Sequence, residues 1–148
     1  MMRMIHIRRA NRFDIEAIMA IEPVFGLDQW NKLQMESEII NPYSNYIVAL
    51  VDDTLAGYCG FLLIQNQADV QTIAVDPKYQ HQGIATQLMN ANMQYCKDNK
   101  IDEVFLEVDV TNVNAIGLYE KLAFEIISKR KHYYANGHDA YVMKKELV

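Results

Sequence analysis

One segment of the sequence places an acidic side chain inside an apolar strand pattern. Residues 103–110 alternate strictly, so that two sets of side chains face opposite ways. One face carries Val104, Leu106, Val108 and Val110, and the other carries Phe105, Glu107 and Asp109. If the second face is buried, the pKa of Glu107 rises toward neutrality and the residue suits the work of a general base. If that face is solvated, Glu107 is an ordinary polar residue, and the pattern alone leaves both interpretations open.

A second segment joins a strand to a helix through a glycine. Residues 72–75 end an apolar strand, Asp76 and Pro77 turn the chain, and Gly83 precedes a helical stripe. The first amides of a helix have no internal partners and attract anions such as a pyrophosphate. The alternative is an ordinary connection in which the glycine serves packing. The segment contains neither the GxGxxG of dinucleotide sites nor the Gly-Lys-Ser/Thr of triphosphate loops.

The third candidate is a tyrosine on a short helix. Either Asn112 or Asn114 can cap this helix, which carries Tyr119 among apolar residues. Such a tyrosine is usually part of the core, with its hydroxyl hydrogen-bonded. The helix directly follows the strand of Glu107, however, so we expect both side chains to border one cleft. A tyrosine is protonated at neutral pH and can donate a proton to a leaving group.

These residues require a fold in which strands and helices alternate. We predict strands at residues 5–9, 46–51, 56–64, 70–75, 103–110, 124–135 and 138–147. We predict four helices: one that Asn11 caps and Pro23 ends, one that Asp28 caps and Asn41-Pro42 ends, one over 87–98, and one from Asn112 or Asn114. The dipeptide Asn136-Gly137, between the last two strands, is the strongest short signal for a two-residue hairpin turn.

The composition describes an ordinary globular protein. The chain has 148 residues and a net charge of −5, and its 51% hydrophobic and 22% charged residues exclude a disordered chain. The acidic balance argues against direct nucleic-acid binding. Two cysteines and four scattered histidines lack ligand spacing, so we predict no metal and no disulfide framework. With no linker, signal segment or bilayer-length apolar run, we expect a single cytoplasmic domain over residues 1–148 without a membrane partner.

The motifs together resemble those of a known enzyme family. IAVDPxYQxQGIA from Ile73, LEV from Leu106, Asn112, and AIGLYEKLAF from Ala115 agree in order and spacing with the bacterial ribosomal-protein-alanine N-acetyltransferases, a subfamily of the GNAT acetyltransferases. The resemblance covers most of the chain from residue 46 onward. It implies the GNAT fold, an α/β (mixed α+β) structure whose twisted, mostly antiparallel sheet has about seven strands flanked by about four helices.

The resemblance also implies a reaction with acetyl-CoA as co-substrate. The pyrophosphate would bind at the start of the helix, and the pantetheine arm would follow the preceding strand, where the Val75 amide would donate to the thioester oxygen. Glu107 would be the general base and Tyr119 the general acid, with direct attack by the amine in a ternary complex. The implied cofactor-binding residues are Ile73, Ala74, Val75, His81, Gln82, Gly83, Ile84, Ala85, Thr86 and Asn112.

The acceptor implied by the resemblance is the N-terminal α-amine of a protein, foremost an alanine-initiated ribosomal protein, and the enzyme is expected to be a monomer or weak dimer. Three departures from the subfamily lie on the acceptor side: Asp109 replaces a basic residue, His138 replaces an acidic residue, and the segment 25–30 lacks an aromatic-Pro-Trp stretch. They leave two alternatives open. One is a GNAT enzyme that acetylates a small-molecule amine or a lysine side chain, and the other is a non-catalytic acyl-CoA-binding module.

A basic run precedes the last predicted turn. Residues 129–132 read Lys-Arg-Lys-His and are followed by Tyr133 and Tyr134. In a strand before a hairpin, such a run is more typical of a solvated edge than of a nucleic-acid surface. We therefore expect one of the two tyrosines to face the acceptor groove.

Overall fold

A seven-stranded sheet organises the protein. The computed structural model describes residues 4–21 and 31–148, and every structural statement below refers to these ranges. The strands are β1 (Ile5–Arg9), β2 (Ser44–Val51), β3 (Thr54–Ile64), β4 (Gln67–Val75), β5 (Glu103–Asp109), β6 (Glu125–Arg130) and β7 (Ala140–Glu146). The helices are α1 (Ile15–Met19), α2 (Lys32–Ile40), α3 (Ile84–Asp98) and α4 (Val113–Lys121), with short 3₁₀ turns at Arg12–Asp14 and Pro77–Tyr79. This mixed architecture confirms the predicted fold class.

The strands follow the order β1-β2-β3-β4-β5-β7-β6 across the sheet. All neighbouring pairs are antiparallel except β4 and β5, which are parallel and are joined through α3. A parallel pair requires a crossover connection of this kind, because its second strand must start again at the same end of the sheet. The helix α3 therefore begins beside the C-terminal end of β4.

The parallel pair separates soon after it forms. Only Gln67, Ala68 and Asp69 of the described β4 residues pair with β5, and residues 70–75 continue without it. A bulge lies at the point of divergence, because Gly60 of β3 pairs with Thr72 and Phe61 with Val70, which leaves Gln71 as the extra residue. Bulges bend the strand that carries them. The sheet is therefore open between β4 and β5 toward their C-terminal ends.

Apolar side chains cover both faces of the sheet. Along β2, Ile47 and Ala49 pack in a cluster with α3 and α4, whereas Tyr46 and Val48 pack in a second cluster with α1 and α2. This alternation follows from the two-residue period of a strand. The apolar face predicted for residues 104, 106 and 108 belongs to the first cluster. Glu107 consequently lies on the opposite face from α3 and α4.

The predicted two-residue turn at Asn136-Gly137 is wrong. β6 ends at Arg130 and β7 begins at Ala140, so a longer connection separates the strands. Of the dipeptide, only Gly137 has a positive φ, +87°, whereas the expected turn needs positive φ at both positions. The Asn136 side chain instead accepts a hydrogen bond from the amide of His138 at 2.9 Å. The local side-chain bond replaces the tight turn.

The second helix begins later than predicted. Asn31 has an extended backbone and exchanges two hydrogen bonds of 2.9 Å with Gln34, a capping box that starts the helix at Lys32. Asn11 caps the first helical turn as predicted, through its side chain and the amide of Phe13. Outside the described residues lie the predicted cap Asp28, the predicted stop Pro23 and the segment 25–30.

Several sequence predictions concern properties other than the fold. No helix within 4–21 and 31–148 is long and apolar enough to cross a membrane. In the same ranges, no group of His, Cys, Asp and Glu side chains is arranged to hold a metal ion. The single-domain organisation, the cytoplasmic location and the monomer or weak dimer stay predictions.

Candidate active site

A pocket of about 480 Å³ lies where the free end of β4 meets the starts of α3 and α4. It contains nine of the ten residues predicted to bind the cofactor, and the tenth, Gln82, is exposed and does not line it. The walls are formed by Ile73, Ala74, Val75, Tyr79, Gln80, His81, Gly83, Ile84, Ala85, Thr86, Asn112, Asn114, Ala115, Leu118 and Lys121. The two motifs that the sequence singled out therefore meet in one cavity.

The first turn of α3 lines one end of the pocket with backbone amides. Gly83 is the N-cap of the helix, and its φ of +77° is a left-handed conformation that glycine adopts at least cost. Beyond it, the amides of Ile84, Ala85 and Thr86 belong to the turn whose donors have no partners within the helix. A Cβ on Gly83 would meet nothing within 4 Å. The glycine is thus required by backbone conformation and not by crowding.

The backbone of β4 directs further polar groups into the pocket. The Asp76 amide donates to the Ala56 carbonyl at 2.7 Å, so these two residues form a hydrogen-bonded pair of the antiparallel ladder. Such pairs alternate with non-hydrogen-bonded pairs, and the neighbouring pair, Gly57 with Val75, is therefore one in which the peptide groups point away from the partner strand. The amide and carbonyl of Val75 therefore face the side that β5 has left. Gln80 Nε2 donates to that carbonyl at 3.2 Å. The Val75 amide is directed at the open cleft.

The helix α4 forms the opposite wall. Asn112 is its N-cap and accepts a hydrogen bond from the Ala115 amide at 3.2 Å, which decides between the two caps that the sequence allowed. Asn114, Leu118 and Lys121 also line the pocket, although the sequence interpretation did not include them. Their spacing of four and three residues is that of one helix face, so the pattern was available once α4 was placed over the pocket.

Glu107 lies in the middle of β5 on the face away from α3 and α4, with 30% of its side chain exposed. Burial raises its pKa, the positive charge of Arg130 acts against this, and the negative charge of Asp69 adds to it, with a net rise. The Arg130 guanidinium lies 3.8 Å from Glu107 Oε1. A carboxylate that is partly desolvated in this way favours the general-base interpretation over that of a fully solvated surface residue.

Asp69 and Arg130 were not identified from the sequence. In the parallel register Asp69 pairs with Phe105, which places it on the same face as Glu107. Burial raises the pKa of Asp69, and the charge of Arg130 acts in the opposite direction. Arg130 belongs to β6, whose side chains are all exposed, in agreement with a solvated edge, yet its guanidinium reaches back to Glu107. Glu107 and Asp69 together form an acidic surface, and the guanidinium of Arg130 lies beside it.

Tyr119 lies in the core beneath α4, with 3% of its surface exposed. Its ring packs edge-on against Phe124 with the ring centroids 5.9 Å apart. Burial raises the pKa of its hydroxyl, and Cys59 and Tyr134 add to the rise, so the group stays protonated. The residue lies on the opposite face of the sheet from Glu107 and is not one of the residues that line the pocket. The expectation that both side chains border one cleft therefore stays a prediction. The role of Tyr119 as acid also stays a prediction.

Two adjacent tyrosines border the acidic surface. The rings of Tyr133 and Tyr134 pack edge to face with their centroids 5.0 Å apart, and the Arg130 guanidinium lies 5.6 Å from the centre of the Tyr133 ring. Burial raises the pKa of both hydroxyls, and the charge of Glu107 adds to the shift of each. The Tyr134 hydroxyl is buried and has no hydrogen-bond partner among residues 4–21 and 31–148. That one of the two tyrosines faces the acceptor groove stays a prediction.

The two cysteines are unsuited to covalent catalysis. Cys59 and Cys96 are both fully buried, and burial raises the pKa of each thiol to about 12. A thiol with that pKa contains almost no thiolate at neutral pH, and the thiolate is the nucleophile. An acetylated cysteine therefore has no place in the chemistry of this pocket.

The class of the protein follows from a comparison of its sequence with known families. Residues 14–124 match the Acetyltransferase (GNAT) family, and the chain belongs to that family. The membership confirms the resemblance found in the motifs.

Within the GNAT family, the chain is similar to proteins that are named as N-terminal or alanine N-acetyltransferases. Over 139 residues the chain is 34% identical to a Bacillus subtilis protein provisionally named a ribosomal protein bS18-alanine N-acetyltransferase, covering 93% of this chain and 92% of that protein. It is 41% identical over 115 residues to an N-alpha-acetyltransferase of Saccharolobus solfataricus, covering 69% of each. The crystal structure of the ribosomal-protein-S18-alanine N-acetyltransferase from Escherichia coli superposes with a TM-score of 0.88 at 26% identity, covering 97% of this chain and 94% of that one.

Proposed function

We propose that the protein transfers the acetyl group of acetyl-CoA to the N-terminal α-amine of a protein substrate. The observation that carries the proposal is the opening between β4 and β5. It joins a pocket with free helix amides on one face of the sheet to an acidic surface on the other face. A cofactor bound in the pocket can place its thioester in the opening, and a cationic amine can reach that thioester from the acidic surface.

The pocket fits a CoA diphosphate and its pantetheine arm. The amides of Ile84, Ala85 and Thr86 supply donors and the positive end of the helix dipole, which favour a diphosphate. Lys121 adds a positive side chain to the same pocket. The arm would follow the exposed edge of β4, where the Val75 amide would donate to the thioester oxygen as negative charge develops there.

The side chains can move the protons that this reaction requires. The α-nitrogen attacks the thioester carbonyl carbon, the new C–N bond forms, and the C–S bond to CoA breaks. Glu107, directly or through a water molecule, takes the first proton from the ammonium group, and Tyr119 donates its proton to the departing thiolate. The second proton that the nitrogen loses as it becomes an amide returns to the tyrosinate, so that one proton is released to solvent in each turnover. A tyrosine held protonated by burial has a proton to give, and the thiol that it forms has an ordinary pKa of about 8.5.

The acid-base chemistry favours an α-amine over a lysine. The ordinary pKa is about 7.7–8.0 for an α-amine and about 10.4 for lysine, so freeing the α-amine at neutral pH requires roughly 3 kcal/mol less. The net rise in the pKa of Glu107 makes it a stronger base than an exposed glutamate. A partly buried carboxylate is thus better matched to an α-amine than to a lysine.

The finer proposal is an alanine-initiated ribosomal protein as the acceptor. The names of the Bacillus subtilis and Escherichia coli relatives support it. Ribosomal proteins are basic, and the net charge of −5 on this chain favours their approach. If this attraction contributes, kcat/KM for a basic alanine-initiated peptide should fall as salt is raised, while that for a neutral peptide of the same N-terminus should not.

The proposal is tested by comparing initial rates for three kinds of acceptor at fixed acetyl-CoA. The first is an alanine-initiated peptide with a free N-terminus, the second is the same peptide with a blocked N-terminus and one lysine, and the third is a small polyamine. We expect efficient transfer only to the first. Preferential transfer to the polyamine would support a small-molecule enzyme, and binding of acetyl-CoA without turnover on any amine would support an acyl-CoA-binding module.

A further inference from the structure

We propose that the hydrogen bond between His138 and Asp109 is a positioning device for the acceptor. It holds the β6–β7 connection, residues 131–139, against the end of β5, and thereby places Tyr133 and Tyr134 beside Glu107. The inference rests on the proposed function, since it assigns the connection to the acceptor side of that site. Both residues were noted in the sequence as separate departures in charge, and the structure joins them.

The contact is short and its donor is defined. His138 Nδ1 lies 2.8 Å from Asp109 Oδ2. A carboxylate that is ionised can only accept, so the proton lies on Nδ1 of the imidazole. Burial raises the pKa of Asp109, but hydrogen bonds from Thr111 and His138 lower it more, with a net fall. Asp109 is therefore a stable anion opposite the histidine.

The other carboxylate oxygen of Asp109 is bonded to Thr111, in the segment that leads into α4. Asp109 Oδ1 accepts from the Thr111 amide at 2.9 Å and from the Thr111 hydroxyl at 2.8 Å. Thr111 directly precedes Asn112, the cap of α4 that lines the cofactor pocket. Asp109 is also two residues from Glu107 on the same strand face. A single carboxylate thus connects the strand of the base, the start of α4 and the acceptor-side connection.

The β6–β7 connection is compact within itself. The His132 amide donates to Asp139 Oδ1 at 2.9 Å, and the Gly137 amide donates to the Tyr134 carbonyl at 2.9 Å. The Tyr134 amide in turn donates to the His138 carbonyl at 3.2 Å. These bonds fix the shape of the connection but not where it lies. Because Tyr134 is bonded to the backbone of His138, a shift of His138 away from β5 moves the tyrosine with it.

Among the described residues, two hydrogen bonds join the connection to the end of β5. One is the backbone hydrogen bond of 3.1 Å from the Val110 amide to the Asp139 carbonyl, directly after the end of β5. The other is the side-chain contact between Asp109 and His138, whose partners differ in exposure, 19% for Asp109 and 45% for His138. Loss of the His138 side of this contact should loosen the tyrosines, while the sheet and the bonds from Asp109 to Thr111 stay in place.

Two substitutions at His138 test the proposal and leave Asp109 with its bonds to Thr111. His138→Glu places a second carboxylate opposite Asp109, whereas His138→Asn keeps a side-chain N–H donor there. Residues in contact couple by amounts that correspond to roughly tenfold in an equilibrium. We expect His138→Glu to raise KM for the peptide about tenfold with KM for acetyl-CoA nearly unchanged, and His138→Asn to keep both KM values close to those of the unchanged protein.

A control variant and a second readout separate this proposal from the proposed function. His6→Glu makes the same substitution at an exposed residue on β1, at the far edge of the sheet, and should leave both KM values unchanged. Hydrogen exchange at residues 131–139 needs no acceptor. We expect faster exchange there in His138→Glu, and exchange close to that of the unchanged protein in His138→Asn. Unchanged exchange in His138→Glu, or an equal rise of exchange and KM in His138→Asn, would overturn the proposal even if the acceptor proved to be another amine.

Discussion

The substitution Glu107→Gln removes the proposed base with little change in shape. General-base catalysis contributes about 10²–10⁴-fold to a rate, so kcat should fall by that factor, or about 3–5 kcal/mol in activation free energy. KM for acetyl-CoA should remain close to that of the unchanged protein, since Glu107 lies outside the cofactor pocket. The assay is the initial rate of CoA release with an alanine-initiated peptide, at saturating concentrations of both substrates.

Stability should respond in the opposite direction from activity. The pKa of Glu107 is raised in the folded chain, so the proton is bound more tightly by the folded than by the unfolded state. The contribution of Glu107 to folding stability is then greatest below its unfolded pKa of about 4.3, and it declines as the pH rises through the folded pKa. Glutamine cannot ionise, and at pH 7 the variant should therefore unfold at the same temperature or a higher one. Thermal unfolding by circular dichroism measures this.

Glu103→Gln is the matched control for this prediction. Glu103 starts the same strand and shares the face of Glu107, but it pairs with Lys144 at 3.3 Å, far from the opening. Its loss should change kcat by less than about twofold, because an ion pair of this exposure contributes only about 0–1 kcal/mol to stability and none to the chemistry. A Glu107→Gln variant as active as the Glu103→Gln variant would refute the role of Glu107 as base.

Three further substitutions probe other parts of the site and its support. Tyr119→Phe keeps the ring packing against Phe124 and should lower kcat about 10²-fold or more, with an unchanged unfolding temperature; full activity would remove the tyrosine from the mechanism. Gly83→Ala forces a left-handed φ on alanine, and it should cost about 1 kcal/mol in unfolding free energy and raise KM for acetyl-CoA, measured by denaturant unfolding and kinetics. Gly60→Ala would drive a Cβ into the ring of Tyr46 and should destabilise the fold by about 1–3 kcal/mol; unfolding at the wild-type denaturant concentration would contradict that contact.

The sequence contained enough to predict most of the elements and the segments that line the pocket. The strict alternation of residues 103–110 predicted which residues of β5 are buried, because a strand has only two faces. The helical stripe after Gly83 predicted α3, although the helix begins at Ile84 and not at residue 87, since periodicity indicates a helix better than its ends. Nine of the ten residues to which the family resemblance gave a cofactor-binding role line one pocket, whereas Glu107 and Tyr119 do not line it.

The parts that were missed depend on contacts between distant segments. The separation of β4 from β5 follows from a bulge at Gln71 that is opposite Gly60 of another strand, and no local pattern indicates it. Asp69 joins the acidic surface only through the register of the parallel pair. Asn136-Gly137 matched a two-residue turn, yet side-chain bonds within the connection favoured a wider one. Register and long-range bonds are tertiary properties that a single sequence leaves open.

The most direct measurement of the central claim locates the acetyl group on a peptide that offers both kinds of amine. The peptide begins with a free alanine and contains one internal lysine, and it is incubated with the protein and acetyl-CoA before tandem mass spectrometry. We expect a single acetyl group on the N-terminal alanine and none on the lysine. Acetylation of the lysine with the N-terminus left free would contradict the assignment of the α-amine as acceptor.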